Sequence, residues 1–382
     1  MEFKNFLSDV ETPAYYYDMD EFGEKISRVK KAIGDISLTY SIKANSFLLH
    51  GLPENIDYVE VCSPGELAIC KRAGIPGDRI IYSGVNKEKE DVTEALEYGV
   101  SIATAESIKH VELEQKAASV LGKKQKVILR LTSGNQFGMS KEDIFRVLEN
   151  SSGYSNLEFY GIHYYSGTQK KTRSIKKDLE LIDGVLEEAK ERFGFTPVLV
   201  EYGPGLAVDY FSDSYEVEEQ ENLNDLKEIL ESYSDKYNFG IELGRFLASS
   251  CGYYATKVVD LKENNGVEYA IVDGGIHHLK YYGQTMAMKI PPIDVLNGVS
   301  DSSYKYCICG SLCTVADVLV REVSLPEINE GTVLVFKRCG AYSITESIST
   351  FLSRKMPKVY VYRESTGPVL LRDVYESDLL NF

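Results

Sequence analysis

The segment YSIKAN, residues 40–45, places a lysine at the end of a stretch that alternates apolar and polar side chains. Leu38, Tyr40 and Ile42 fall on one face of the expected strand, and Lys43 falls on the other. An ammonium is costly to bury without a partner, so Lys43 reaches water, is paired, or takes part in chemistry. A partly desolvated lysine amine loses its proton more readily and can attack an aldehyde to form a Schiff base.

Other side chains suited to chemistry follow apolar runs farther along the chain. Arg130, His163 and Glu242 with Arg245 each stand at the end of such a run, and a Gly-Pro-Gly turn covers residues 203–205. Taken singly, each has an ordinary explanation, because Gly-Pro-Gly most often makes a plain turn and Glu242 can simply pair with Arg245. On one shared rim, however, this set together with the lysine indicates a cofactor site.

The chemistry of the set matches pyridoxal 5′-phosphate (PLP). Lys43 can hold the aldehyde, and the turn in YGPGLAV leaves backbone N–H groups accessible to a phosphate because glycine has no Cβ. Glu242 opposite a pyridine nitrogen keeps that nitrogen protonated, which makes the ring a strong electron sink. His163 can stack on the ring. No metal site is expected, since the seven cysteines form no CxxC pair and have no histidine cluster nearby.

The elements that must bring these residues together follow a repeated rhythm. Short runs rich in Val, Ile, Leu, Tyr and Phe alternate with charged stretches that have the apolar spacing of helices. The runs are SLTYSIKAN, IDYVEVCS, RIIYSG, VSIATAES, KVILRLTS, LEFYGIHYYSG, PVLVEYGPG and NFGIELGR. Eight strands that alternate with helices predict a closed parallel (β/α)₈ TIM-type barrel, in which the carboxyl ends of the strands form one rim.

After residue 245 the chain changes to β-rich segments separated by turns. GYYATKVVDLKENNGVEYAIVDGG predicts two strands joined by a turn at Asn264–Gly266, and YKYCICGSLC, GTVLVFKRCGAYS and KVYVYRESTGPVLLRD continue the pattern. TPAYYYDMDEF near the amino terminus is an early strand that can join them. The α/β chain is therefore predicted to have a PLP-binding barrel over residues 25–245 and an antiparallel β-domain over residues 1–24 and 246–382.

The composition indicates a globular protein with an acidic surface. The 382 residues carry a formal net charge of −16, which argues against binding to nucleic acid or to an anionic membrane. No apolar run reaches the roughly 18 to 20 residues of a transmembrane helix, and MEFKNFLSDVETP does not have the pattern of a signal peptide. Free thiols in a reducing cytoplasm are the simplest account of the odd number of cysteines.

The motifs resemble those of a known family, the fold-type III PLP-dependent decarboxylases of ornithine, arginine, diaminopimelate and carboxynorspermidine, which share the alanine-racemase-like fold. YSIKAN is similar to the family's Tyr-Ala-x-Lys-Ala-Asn strand, which implies that Lys43 is the Schiff-base lysine. GIHYYSGTQ, YGPGLAVDY and IELGRFL resemble the His-x-x-Ser-Gly, phosphate-loop and Glu-Pro-Gly-Arg motifs, with Leu243 in place of proline. The cofactor contacts expected in the barrel are Lys43, Arg130, His163, Ser166, Gly203, Gly205, Glu242 and Arg245.

The resemblance extends into the second domain. CGSLCTVADVL is similar to the family's Gly-Pro-x-Cys segment, and CGAYS is similar to its Gly-Ala-Tyr segment. This implies a homodimer with shared active sites, in which Cys313 acts in the partner's site and Tyr342 reaches the cofactor phosphate. Thr314 follows the cysteine where relatives that act on a distal amino group carry an acid, and the nearest acid is Asp317. Substrate contacts are accordingly expected at Cys313, Thr314 and Asp317.

The departures from the family pattern bear on the substrate. YYGQTMAMKIPPIDV lacks the arginine that diaminopimelate decarboxylases use for a distal carboxylate, although Lys289 is present. The expected function is PLP-dependent decarboxylation of an α-amino acid to an amine and CO₂. An unusual or carrier-linked amino acid of a specialised-metabolite pathway is one expected class of substrate.

The catalytic residues implied by the resemblance are Lys43, His163 and Cys313, with Cys313 or a water as the proton donor to Cα. An amino-acid racemase of the alanine-racemase type is an alternative, but those enzymes set an arginine against the pyridine nitrogen. Glu242 at that place favours decarboxylation. A catalytically silent PLP-binding homologue is the third reading, which the presence of the complete residue set opposes.

Overall fold

A computed structural model describes residues 10–212 and 215–382. Their internal contacts divide the described residues into two compact units. The first, called here the barrel unit, comprises Lys25–Val208 and Glu216–Phe246, and the second, called the β unit, comprises the other described residues.

Residues 209–212 belong to the β unit, although the sequence-based boundary places them in the barrel. The reason is a set of contacts with the end of a β-unit strand. The Arg338 guanidinium donates hydrogen bonds to the carbonyl oxygens of Asp209, at 3.2 Å, and Ser212.

The first nine strands include the complete barrel. In chain order they are β1 (Ala14–Asp18), β2 (Ser37–Ser41), β3 (Tyr58–Val61), β4 (Ile80–Tyr82), β5 (Ile102–Ala105), β6 (Gln125–Arg130), β7 (Leu157–Tyr165), β8 (Leu199–Gly203) and β9 (Phe239–Leu243). Strands β2 to β9 form a closed barrel whose neighbouring strands are parallel, and β9 pairs with β2 to close it. The predicted (β/α)₈ barrel is confirmed, with a strand in each of the eight apolar runs.

Helices connect these strands. They are α1 (Met19–Ile33), α2 (Pro64–Arg72), α3 (Lys89–Tyr98), α4 (Ile108–Leu121), α5 (Lys141–Glu149), α6 (Thr172–Phe193), α7 (Tyr215–Glu231) and α8 (Arg245–Ala248). The side chains of Ser63, Ser107 and Ser140 cap helices α2, α4 and α5 by accepting a hydrogen bond from a backbone N–H of the first turn. Helices α4 and α6 end at Gly122 and Gly194, which have positive φ angles.

Within the described residues, no helix combines the length and apolar character needed to cross a bilayer.

The strand predicted to end at Lys43 is shorter than the sequence pattern indicates. Strand β2 stops at Ser41, and residues Ile42–Ala44 form a short 3₁₀ turn. Asn45 directs the chain away from the sheet, because its side chain accepts a hydrogen bond from the Phe47 N–H at 3.0 Å and starts the next turn. Lys43 therefore lies in the turn that leaves the rim and not on the strand itself.

The β unit contains one large sheet. Its later strands are β10 (Gly252–Asn264), β11 (Val267–Val272), β12 (Ile293–Leu296), β13 (Ser300–Cys309), β14 (Val318–Glu327), β15 (Val333–Lys337), β16 (Lys358–Arg363) and β17 (Gly367–Arg372). The main order is β14-β13-β11-β10-β1-β16-β17, while β15 pairs with both β10 and β12. The amino-terminal strand β1 lies inside this sheet, as the sequence predicts.

The sheet is mixed, and the expectation of a purely antiparallel domain was wrong in this respect. Strand β1 is antiparallel to β10 but parallel to β16, and β11 is parallel to β13. The first parallel pair joins the two ends of the chain, because β1 lies between β10 and β16, and the second joins strands that are separated by the long connection over residues 273–299. The predicted β10–β11 hairpin is confirmed, and its turn residues Asn265 and Gly266 have φ angles of 54° and 77°.

Candidate active site

The interior of the barrel changes from apolar to polar toward the carboxyl ends of its strands. Ile81, Ile102, Ile128 and Leu199 form a buried apolar cluster. Two positions farther along the same four segments stand Ser83, Thr104, Arg130 and Glu201. Side chains two residues apart on a strand share a face, so polar groups follow the apolar layer toward the rim where the barrel enzymes hold their active sites.

Lys43 directs its ammonium at two carboxylates. Its Nζ lies 2.5 Å from Oε2 of Glu60 on β3 and 3.3 Å from Oε1 of Glu242 on β9. The sulfur of Cys62 lies 3.6 Å from the same nitrogen. The Lys43 side chain is 35% exposed, whereas those of Glu60 and Glu242 are 4% and 7% exposed. The Lys43 side chain is therefore partly exposed, and its terminal ammonium contacts buried negative charge.

Glu242 connects three elements of the barrel. Its Oε1 accepts a hydrogen bond from the Ser41 hydroxyl at 2.8 Å, and its Oε2 lies 3.0 Å from Nε2 of His163. Burial opposes the ionisation of Glu242, but the Lys43 charge and the His163 and Ser41 contacts hold its pKa well below the ordinary value. Glu242 is thus a buried carboxylate that stays negative, as a group that keeps a ring nitrogen protonated must be.

His163 on β7 is buried and only partly satisfied. Its Nε2 contacts Glu242, whereas its Nδ1 has no hydrogen-bond partner among the described residues. A histidine that only filled the core would be expected to have both ring nitrogens hydrogen-bonded. The imidazole is therefore oriented by Glu242 within the same group of side chains as Lys43.

Glu201 on β8 is a third buried carboxyl in the barrel, and nothing in its local sequence singles it out. It is 1% exposed, and neither of its carboxyl oxygens has a hydrogen-bond partner among the described residues. Burial raises the pKa of Glu201 to about 8, with the nearby Thr39 hydroxyl opposing the rise and the Glu242 and Glu60 charges adding to it. Glu201 therefore keeps its proton near neutral pH and adds little negative charge to the Lys43 site.

The turn at residues 203–205 requires glycine at both ends. Gly205 has a φ of +57°, and a Cβ there would lie 1.9 Å from the carbonyl oxygen of Gly167. A Cβ on Gly203 would lie 2.6 Å from the ring of Tyr165. Close packing of the chain therefore explains the glycines at positions 203 and 205.

A buried ion pair supports the same turn. Lys170 Nζ lies 2.5 Å from Oδ2 of Asp178 on α6 and 3.4 Å from the carbonyl oxygen of Gly203. Asp178 also accepts hydrogen bonds from the Ser166 hydroxyl at 3.0 Å and the Tyr202 hydroxyl at 2.9 Å. The Ser166 hydroxyl, expected at the cofactor phosphate, is thus bonded here to a helix carboxylate.

The two expected arginines stand in different surroundings. Arg130 ends β6 and donates from Nη1 to Oε1 of Glu106 at 2.7 Å, and both side chains are buried. Glu106 also accepts a hydrogen bond from the Gly138 N–H at 3.4 Å, so the pair ties the end of β6 to the following loop. Arg245 begins α8, directly after the strand that carries Glu242.

The expected substrate residues lie together in the β unit, in the loop between β13 and β14. Cys313 is exposed, Thr314 is half-buried, and Asp317 is buried. The two oxygens of Asp317 accept hydrogen bonds from the backbone N–H groups of Ile276, at 2.8 Å, and Leu312, at 2.7 Å. Asp317 thus anchors the loop that presents Cys313.

Tyr342, also in the β unit, has an unusual backbone conformation. Its φ of +64° lies in the left-handed region that a tyrosine rarely adopts. Its carbonyl oxygen accepts hydrogen bonds from the N–H groups of Thr345 and Glu346 at 3.1 and 2.9 Å, which hold the turn. Backbone strain of this kind concentrates at functional positions.

The residues of the barrel unit fit PLP by their chemistry. Lys43 offers an amine for an aldehyde, and Glu242 offers a buried charge for a pyridine nitrogen. The rigid turn at residues 203–205 follows a neighbouring strand at the same rim. A set of one amine, one fixed carboxylate and one glycine turn suits this cofactor better than a metal ion, for which carboxylates and imidazoles would converge without the ammonium.

The barrel sequence matches the family model for the pyridoxal binding domain of pyridoxal-dependent decarboxylases over residues 19–249, more than half of the chain. The chain therefore belongs to the pyridoxal-dependent decarboxylase family. It is a PLP-dependent amino-acid decarboxylase, a carboxy-lyase, which confirms the fold-type III resemblance and the expected cofactor.

Relatives and solved structures agree over nearly the whole chain. The chain is 28% identical to the L-glutamyl-[BtrI acyl-carrier protein] decarboxylase of Niallia circulans, covering 97% of this chain and 93% of the relative. It is 27% identical to the diaminopimelate decarboxylase of Aquifex aeolicus, covering 96% and 90%. The fold matches diaminopimelate decarboxylase from M. jannaschii in complex with L-lysine, with a TM-score of 0.87, 22% identity and coverage of 98% and 93%.

The structure adds residues that sequence reasoning missed. Glu60 and Cys62 contact Lys43, and the Lys170–Asp178 pair supports the glycine turn. Glu60 has a recognisable signal, because a glutamate interrupts the apolar run YVEV of a barrel strand. The pairing of Lys170 with Asp178 has no comparable signal, since Lys170 precedes α6 and Asp178 is one of many charged residues within that helix.

Proposed function

We propose that the Lys43, Glu242 and His163 constellation is the catalytic centre of the decarboxylase. The observation that carries this proposal is the contact of one amine with two buried carboxylates, one of which is oriented by an imidazole. Bound PLP supplies a protonated pyridine ring that accepts the electron pair left behind by departing CO₂. Lys43 holds the cofactor aldehyde, and Gly203, Gly205, Ser166, Arg245 and Tyr342 are the proposed phosphate contacts.

Each protein residue then has a defined task. Glu242 keeps the ring nitrogen protonated through its fixed negative charge, and His163 keeps Glu242 in place. Glu60, at 2.5 Å from the Lys43 nitrogen, accepts the proton that the ammonium must lose before its amine can react. Cys313 or a water returns a proton to the substrate Cα.

The proposed substrate is an amino acid whose distal end is neutral because it is linked to a carrier. Thr314 stands where an acid would bind a distal ammonium, and YYGQTMAMKIPPIDV has no arginine for a distal carboxylate. The one lysine of that segment, Lys289, stacks its ammonium on the ring of Phe211 at 5.0 Å. A distal carboxyl that is bound to a carrier as a thioester is neutral, so its recognition needs neither an acidic residue nor an arginine. The glutamyl-carrier decarboxylase among the relatives supports this choice.

We also propose a homodimer that completes each active site with Cys313 of the partner subunit. Val315, two residues beyond Cys313, is fully exposed. Val315, Met286 and Ile348 line a cavity of about 450 Å³ in the β unit, and all three are exposed apolar side chains. Exposed apolar surface of this kind beside a site residue suits a protein interface. A cytoplasmic location remains a prediction, supported by seven unpaired cysteines.

The experiment is a screen for CO₂ release by the PLP-loaded protein. It compares free L- and D-amino acids with the same amino acids linked to pantetheine or to a carrier protein, and chiral chromatography follows the recovered substrate. CO₂ from a carrier-linked L-amino acid supports the proposal. Interconversion of enantiomers without CO₂ would instead support the racemase alternative.

A further inference from the structure

A short segment at the start of α6 is strongly basic in an otherwise acidic chain. Residues 168–177, TQKKTRSIKK, contain five basic and no acidic residues, while the whole chain has a net charge of −16. Lys170 is buried and paired with Asp178. The other four cations are exposed and are called here the basic α6 surface: Lys171, Arg173, Lys176 and Lys177.

Folding of the barrel does not account for the basic α6 surface. Within the described residues, none of its four cations has a carboxylate oxygen within 4.0 Å. Lys176 lines a surface hollow together with the acidic residues Glu180 and Asp225. The other three cations do not line that hollow. Lys171 and Arg173 lie at the first turn of α6, which has no acidic residue, so these two charges face the positive end of the helix dipole, which is unfavourable. A locally unfavourable charge arrangement is expected where function requires it.

The basic α6 surface stands at the rim that carries the catalytic residues. Helix α6 follows β7, the strand of His163, and a helix that follows a barrel strand begins at the carboxyl-end rim. The Lys170 N–H donates to the carbonyl oxygen of Gly205 at 2.9 Å, so the start of α6 is bonded to the glycine turn. A molecule bound to this surface therefore sits beside the mouth of the active site.

We propose that the basic α6 surface docks an acidic carrier protein that delivers the amino acid, an inference that rests on the proposed carrier-linked substrate. The cations are spread over about 9 Å of helix, from residue 171 to residue 177, and project into water. Single exposed cations bind a small anion weakly, whereas a protein with several acidic side chains meets all of them at once. Because the whole chain repels acidic proteins, a local positive surface is needed to steer one to the rim.

The test uses the PLP-loaded enzyme and the phosphopantetheine form of the BtrI acyl-carrier protein without a bound amino acid, so that docking is measured apart from chemistry. The variant Arg173→Glu/Lys177→Glu reverses two cations four residues apart, which lie on the same side of α6. Arg173→Glu places an acidic residue in the first turn of α6, which the helix dipole favours, and both substituted side chains are exposed, so this variant is expected to fold. The control Lys116→Glu/Lys190→Glu makes the same change of charge on α4 and on the last turn of α6.

We expect calorimetric titration to show that Arg173→Glu/Lys177→Glu weakens carrier binding at least about tenfold, and that the control stays within about twofold of the wild type. The wild-type affinity should also fall steeply with added salt. Three outcomes would each overturn the docking proposal. They are no carrier binding by the wild type, an equal loss of affinity in both variants, and displacement of the carrier by an unrelated DNA duplex. Failure of the proposed function is a separate result, namely carrier binding without release of CO₂ from glutamate on the carrier or on pantetheine.

Discussion

The Nζ of Lys43 and the Oε2 of Glu60 are 2.5 Å apart, because strand β3, which carries Glu60, pairs with strand β2, which leads into Lys43. The pair is asymmetric, because the Glu60 side chain is 4% exposed and the Lys43 side chain is 35% exposed. A buried carboxylate thus fixes the terminal nitrogen of a lysine whose side chain is partly exposed. This arrangement supplies both a place to hold the amine and an acceptor for its proton.

Lys43→Ala should abolish both the visible absorbance of bound PLP and the release of CO₂, since only the amine can hold the aldehyde. Lys43→Arg is the matched control for charge. The guanidinium preserves the pairing with Glu60 and Glu242 but does not lose its proton, so this variant should fold normally and be equally inactive. Absorption spectroscopy and CO₂ release measure the outcome, and a Lys43→Ala protein that retained both would remove Lys43 from the proposed centre.

Glu242→Gln should lower kcat by about 10²–10³-fold while PLP remains bound, because the neutral amide cannot hold a proton on the ring nitrogen. Glu201→Gln is the control, on the adjacent strand β8. Since Glu201 keeps its proton near neutral pH, an amide there closely imitates it, and the activity should change only a few-fold. Equal activity of wild type and Glu242→Gln in steady-state assays would argue against the assignment.

The carboxyl of Glu201 should also make stability depend on pH. Its pKa in the folded protein is about 8, above the value of 4.5 for an unperturbed glutamate, so the folded protein retains a proton that the unfolded chain releases. The contribution of Glu201 is fully present below about pH 4.5 and is lost as the pH rises through 8. The Tm of Glu201→Gln relative to wild type should therefore increase between pH 5 and 8. Glu158→Gln, an exposed position on β7, is the matched control in the same series of thermal unfolding measurements.

The sequence predicts the barrel better than it predicts the contacts within it. Strands β2 to β9 are recognisable because each is a short apolar run followed by a helical stretch, whereas β12 and β14 were not recognised among the turns of the β unit. The Lys43–Glu242 contact joins residues 199 positions apart and exists only because β9 closes on β2. Local alternation also placed Lys43 on the strand, since nothing in YSIKAN reveals the 3₁₀ turn at Ile42–Ala44.

Asp178→Asn should destabilise the protein by about 3–5 kcal/mol, because it leaves the buried Lys170 ammonium without its carboxylate. The double variant Lys170→Met/Asp178→Leu should regain only part of that stability, because it removes the unpaired buried charge but leaves the Ser166 and Tyr202 hydroxyls without their acceptor. Urea unfolding measures both. If the pair also holds the glycine turn for the phosphate, both variants should bind PLP more weakly than wild type in equilibrium dialysis.

Val315→Asp should convert the proposed dimer into a monomer, because it places a charge at a fully exposed apolar residue beside Cys313. Without Cys313 of the partner subunit, this variant should retain the visible absorbance of PLP but lose CO₂ release. Val120→Asp is the matched control, since Val120 is 76% exposed on α4 in the barrel unit and should tolerate the charge. Light scattering coupled to size exclusion gives the mass. A wild-type monomer with full activity, or a Val315→Asp dimer, would contradict the shared site.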